Sequence, residues 1–206
     1  DGGSDWRLWH PLGDFSKTAS GVTVSPEGAL RASAVLACVK VLSETLASMP
    51  VKVYAKMDNG KREAKEHPLY RVLHDEPNPW QTPFEFFEMM ETHLGLRGNA
   101  YAIKNPGEMG AVSSLVPVHP DLVRMEKIRE TGRYVYKVRG DTGSETAYTQ
   151  DEIFHVKDMT LDGVMGVSRI KYAKESIGLS LAAEEWGASL FSNGAIPPNA
   201  LVTDAS

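Results

Sequence analysis

Residues 82–104 read TPFEFFEMMETHLGLRGNAYAIK, and the change of rhythm inside this stretch decides the fold class. Thr82-Pro83-Phe84-Glu85 opens a helix. Threonine caps it, proline fits the first turn because its missing N–H needs no partner there, and Glu85 can reach back to the cap. Phe84, Phe87, Met90, Glu91 and Leu94 recur at helical spacing, and Gly95 and Gly98 supply the stop. Asn99 to Lys104 then reads as a strand. A capped helix running directly into a strand, with short strands beyond it, predicts an α+β fold of helices packed on small mixed or antiparallel sheets.

Upstream, residues 1–24 are rich in Gly, Ser and Asp and carry Trp6 and Trp9 as isolated anchors. They read as an extended arm whose tryptophans dock on a neighbouring surface. Ser25-Pro26-Glu27 starts a helix over 27–48, with Leu30, Ala34, Ala37, Val41 and Thr45 on one stripe and Cys38 and Leu42 alongside. Pro50 ends it. Val51, Val53 and Ala55 alternate as a strand, and Asp58-Asn59-Gly60 is a tight turn. A short helix is expected over 67–74, and the proline pair in Glu76-Pro77-Asn78-Pro79-Trp80 breaks it.

Downstream, strands are expected at Leu115–Val118, Val123–Ile128, Arg133–Arg139 and Ile153–Lys157. The longest helix follows over 168–193, stopped by Gly194, with a length of about 39 Å. Ile170, Ala173, Ile177, Leu181, Ala188 and Phe191 form its apolar stripe, which Glu184 interrupts. Such a helix outreaches the small domain before it, so the stripe is expected to be exposed in one subunit and covered by another. Residues 195–206 read as an extended tail.

The chain has 206 residues and a formal net charge of −5, against the basic face of a sequence-specific DNA binder. No apolar run approaches the ~20 residues of a membrane span. One cysteine, Cys38, excludes an internal disulfide and a cysteine-rich zinc site, and fits a reducing cytoplasm. The chain opens on Asp1, so further upstream residues are expected.

The search for chemistry returns bland readings. Cys38, on an apolar helix face, reads as a buried structural thiol. His93, His119 and His155 lack metal-helix spacing, and His155, between Phe154 and Val156, reads as a hydrogen-bonded structural histidine. Glu85, Glu88 and Glu91 read as a solvated helix face. Gly163-Val164-Met165-Gly166-Val167-Ser168 precedes a helix but lacks the lysine and serine of a phosphate loop. No catalytic residue, cofactor or metal site is expected.

Several segments nevertheless resemble one family in order and spacing. They are Val22-Thr23-Val24-Ser25-Pro26-Glu27-Gly28-Ala29-Leu30 through Ser33-Ala34-Val35 to Ala37-Cys38-Val39, then His67-Pro68-Leu69-Tyr70, and Pro77-Asn78 with Gln81-Thr82 before Phe84-Glu85-Phe86. Leu96-Arg97-Gly98-Asn99-Ala100-Tyr101 and Glu152-Ile153-Phe154-His155-Val156 follow, then Gly166-Val167-Ser168 and Glu184-Glu185-Trp186-Gly187-Ala188 into Asn193-Gly194-Ala195-Ile196-Pro197. Together they resemble the portal, or head–tail connector, family of tailed bacteriophages over nearly all of residues 20–200.

The resemblance implies the N-terminal half of a portal subunit. Residues 25–160 would form the wing domain, 168–193 the stem helix and 195–206 the start of the clip. It implies a non-enzymatic homo-oligomer, a typically twelvefold ring at one capsid vertex of the virion, assembled in the host cytoplasm. Double-stranded DNA passes through it non-specifically during packaging and ejection. The terminase packaging motor, the major capsid protein and tail connector proteins are the implied partners. Ile170, Lys171, Lys174, Ile177, Leu181, Glu184, Glu185 and Phe191 would be the intersubunit or channel residues of the stem. Two readings from other classes stand beside it: a non-viral protein-binding module, suggested by the isolated tryptophans and the proline-rich turn, and a fragment of a hydrolase whose active site lies outside this chain.

Overall fold

A computed structural model describes residues 17–140 and 143–195. The expected arm with Trp6 and Trp9, and the tail beyond Ala195, lie outside the described residues.

The helix over 82–104 forms as α4, Pro83–Arg97, with both halves of its capping box made: Thr82 N donates to Glu85 Oε2 at 2.8 Å and Glu85 N donates to Thr82 Oγ1 at 3.3 Å. Gly98 ends it in the left-handed conformation at φ 76°. Gly95 does not end it. It lies inside the helix, within van der Waals reach of Val39, where the lack of a side chain lets another helix approach. That helix is α2, Ser33–Ala47.

The expected single helix over 27–48 is two helices. α1 is only Pro26–Ala29, capped by the Ser25 hydroxyl, and Ala32 turns extended at ψ 116° before α2 begins. Tertiary contacts override local propensity here. Ala29 and Ala32 are both buried with Val24, Leu96, Ile170 and Ile177. The expected stripe on α2 also needs correction. Val35, Val39, Ser43 and Ala47 face the protein, whereas Ala34, Ala37, Val41 and Thr45 are exposed. Leu42 is 49% exposed, and Cys38 is exposed rather than buried.

β1 (Tyr54–Met57) and β2 (Gly60–Glu63) form a hairpin around Asp58-Asn59-Gly60. The expected 67–74 helix is α3, Pro68–Tyr70, running into a π turn over Arg71–Asp75. β3 (Asn99–Pro106) is the centre of an antiparallel sheet between β4 (Val112–Val118) and β8 (Ile153–Lys157). β5 (Val123–Lys127), β6 (Tyr134–Arg139) and β7 (Glu145–Thr149) form a second antiparallel sheet. β7 was not expected; it is mostly exposed and shows no alternation of apolar residues.

Period-two alternation makes β3 the hub. Ala100 and Ala102 turn toward α4 and are buried with Phe86 and Met90. Tyr101 points the other way, into the core shared with Val123, Met125, Tyr136 and Val138 of the second sheet. α5, Arg169–Ser192, is the long final helix, about 36 Å over its 24 residues.

Candidate assembly surface

The base of α5 is fastened where α4 passes into β3. Ser168 caps α5 by accepting from Lys171 N at 3.2 Å, and its hydroxyl donates to Leu96 O at 2.7 Å. One serine thus satisfies groups at the start of one helix and the end of another. Arg169 forks onto Asp158 at 2.6 and 2.9 Å. Gly98 and Gly166 meet backbone to backbone: a Cβ on Gly166 would lie 1.8 Å from Gly98 O. The Gly163–Ser168 segment is the turn expected from its sequence, with Asp162 accepting from Val164 N and Met165 N.

A buried polar relay locks the same junction. Asn99 accepts from Gly166 N at 2.9 Å and donates to Gly166 O at 2.9 Å. Its carbonyl lies 3.0 Å from His155 Nε2, and His155 Nδ1 lies 3.1 Å from Tyr136 Oη. A neutral ring that donates from Nε2 and accepts at Nδ1 satisfies every group. Burial pushes His155 down to about 4, which keeps it neutral. This is the structural histidine expected from the strand pattern.

Glu27, His119 and Asp121 bring three possible ligand atoms together. The side chain of Arg97, almost fully buried, already holds the place: it donates to Asp121 at 2.8 Å twice and to Glu27. Burial pushes the Asp121 carboxyl up, but the Arg97 hydrogen bonds outweigh it and hold the group below its usual range. A guanidinium in that position opposes a second cation, and the triad ties α1, α4 and the turn before β5 together.

The stem candidates do not share one environment. Ile170 and Ile177, each 7% exposed, are buried in their own chain with Val24, Ala29 and Leu96, and Leu181 packs against the same cluster. The expectation of a wholly exposed stripe is therefore corrected for this half. The residues from Val22 to Leu30 fold back and cover it. Thr18 sits against Gly178, and Ala19 N donates to Glu175 at 2.9 Å. Farther along, Ala188 is exposed and Phe191 is 78% exposed. Lys171, Glu184 and Glu185 are exposed, and Lys174 is half-buried.

Sequence reading missed a second stripe on α5. Tyr172, Leu179 and Trp186 are 66%, 64% and 70% exposed. They are spaced by seven residues, which keeps them on one side of the helix. The seven-residue interval was the available signal.

Beside the buried half of α5 runs an apolar groove enclosing about 260 Å³. α2 contributes Val35, Cys38, Val39 and Leu42, α4 contributes Gly95, and α5 contributes Ala173. Glu91 and Arg169 stand at its edge. Burial raises the Glu91 carboxyl above its usual range, against the opposing charge of Arg169. Glu91 is thus half-buried, unlike the solvated face expected for it.

The chain is 34% identical over 195 residues to the portal protein of Enterobacteria phage HK97, covering 93% of this chain and 43% of that protein. It is 33% identical over 208 residues to a probable portal protein of Streptomyces phage phiC31, covering 95% and 45%. The chain thus spans about half the length of the curated relatives it matches. In fold it is similar to the neck of an empty GTA particle computed with C6 symmetry, with a TM-score of 0.69, 22% identity, and 86% of this chain and 48% of that one covered. For the neck of a native GTA particle computed with C12 symmetry, the TM-score is 0.59, the identity 23%, and the coverage 86% and 44%. The model of the family described as phage portal protein matches residues 33–206, and the chain belongs to that family.

Proposed function

We propose that this chain is the N-terminal part of a structural subunit of a portal ring at one vertex of a phage or phage-like capsid. Residues 25–160 act as the wing and 168–193 as the stem helix. The observation that carries this reading is α5, a helix about 36 Å long whose base is locked to the domain and whose outer half carries exposed apolar side chains. Family membership and the symmetric necks of the structural neighbours support closed rotational assembly, typically twelvefold.

In this reading double-stranded DNA passes through the ring during packaging and ejection. Duplex DNA carries one negative charge per about 1.7 Å. A strongly basic stem would hold it by counterion release and stall it. α5 instead mixes Arg169, Lys171 and Lys174 near its start with Glu184 and Glu185 toward its end. The chain acts as scaffold rather than enzyme; the terminase motor, the major capsid protein and tail connectors dock on the ring, which assembles in the host cytoplasm.

Native mass measurement tests this. A closed oligomer of one fixed multiplicity, with no ATP turnover, is expected. A strict monomer at high concentration, or ATP hydrolysis abolished by a change within residues 163–168, would contradict it.

A further inference from the structure

The ring reading leaves open which surfaces join neighbouring subunits, and the structure offers two apolar surfaces on one chain that differ in shape. The first is convex. Tyr172, Leu179 and Trp186 stand along α5, each about two-thirds exposed. At 3.6 residues per turn they lie roughly opposite Ile170 and Ile177, which are buried in the home domain. α5 is therefore apolar on two opposite sides, and among the described residues only one is used within the chain.

The second surface is concave. The groove between α2 and α5 has aliphatic walls, Val39 and Leu42 on one side and Ala173 on the other, over a floor opened by Gly95. Past Leu42, Leu46 near the end of α2 and Met49 just beyond it are 42% and 56% exposed. Farther along α5, Phe191 is 78% exposed.

We propose that the Tyr172–Leu179–Trp186 stripe of one copy of this chain docks into the α2–α5 groove of the next copy. The occupant of the groove is a second copy because of area and of geometry. Tyr172, Leu179 and Trp186, each about two-thirds exposed, offer on the order of 400 Å² of apolar surface, a suitable apolar centre for one partner's share of ~800 Å² in a stable interface. A large exposed apolar patch on a free-standing subunit marks an interaction site. A convex patch and a different concave patch on the same chain make a heterologous contact, which repeats from copy to copy and closes when the rotation allows.

The inference rests on the ring reading, and the test separates the two. Cys38 is the chain's one cysteine and lines the groove. The stripe lies on the far side of α5 from it, so a disulfide between them joins only different copies. Tyr172→Cys and Leu179→Cys variants of the whole chain are oxidised with copper phenanthroline, with Lys56→Cys as an exposed control, while the mass of the unsubstituted chain is measured in parallel. The expected result is a shift from the monomer band to a dimer–trimer ladder for at least one stripe variant, lost when Cys38→Ser is added, with no ladder for the control. A dimer band that survives Cys38→Ser, which leaves one thiol per chain, would place stripe against stripe and overturn the groove as the partner. No ladder from a chain that forms rings would overturn the surface assignment and leave the ring reading standing. No ladder from a chain that stays monomeric would overturn both.

Discussion

The side-chain carbonyl of Asn99 lies 3.0 Å from Nε2 of His155, and the same oxygen accepts from Gly166 N. One buried amide therefore connects the centre of the first sheet, its neighbouring strand and the turn that launches α5. Through His155 and Tyr136 the connection reaches the second sheet. Each group is satisfied only when all three elements are in place, which makes the direction of α5 a property of the whole domain.

The relay carries a pH dependence. Burial is the main cause that pushes both His155 and His93 down to about 4, from an ordinary value of 6.5. Between these values the unfolded chain binds more protons than the folded one, so stability falls as pH drops. Urea denaturation is expected to show full stability above about pH 6.5 and a progressive loss toward pH 4, by a few kcal/mol. Replacing either histidine with Gln flattens that slope. A stability that rises between pH 6.5 and 4 would contradict the assignment.

Gly166→Ala puts a methyl group 1.8 Å from Gly98 O, against backbone that cannot step aside. A loss of more than about 3 kcal/mol is expected. Gly163→Ala meets open space and pays only for its φ of 73°, about 1 kcal/mol. Thermal denaturation of the pair separates the close approach from simple backbone strain.

Arg97→Met leaves Asp121 half-buried without its partner. Removal of one member of a buried pair costs about 3–5 kcal/mol, and Glu27, largely exposed, adds little. Adding Asp121→Leu is expected to recover part of the loss, because no carboxylate is then stranded. Equal stability of the single and double variants would show that the pair does not set the cost.

Two neighbours on α5 are expected to behave oppositely. Ile177→Asp puts a charge into the home core and lowers stability by several kcal/mol. Leu179→Asp leaves folding within about 0.5 kcal/mol of the parent and weakens assembly. Leu42→Asp belongs with Leu179→Asp because its side chain lines an open groove. Circular dichroism with sedimentation reads both properties.

Elements with their own local signals were legible in the sequence. The Thr82–Glu85 box, the Asp58–Gly60 turn and the Ser25 cap stand where their residues place them. What failed was the choice between faces. α2 is apolar nearly all round, so its periodicity gives a helix without saying which side α4 will take. The same holds for α5, where the Ile170–Ile177 side and the Tyr172–Trp186 side compete, and packing by Val24 and Ala29 decides between them. Ala32 bends because of contacts far away in sequence. The Asn99–His155 bond spans 56 residues and has no local signature. The family was legible through a resemblance distributed over nearly all of residues 20–200, since no single cluster carries it.

Electron micrographs of the assembled chain test the central claim most directly. Closed rings are expected, of one subunit number, with a central opening wide enough for duplex DNA and with α5 of each subunit against its neighbour. Monomers, or open filaments without a closed ring, would contradict it.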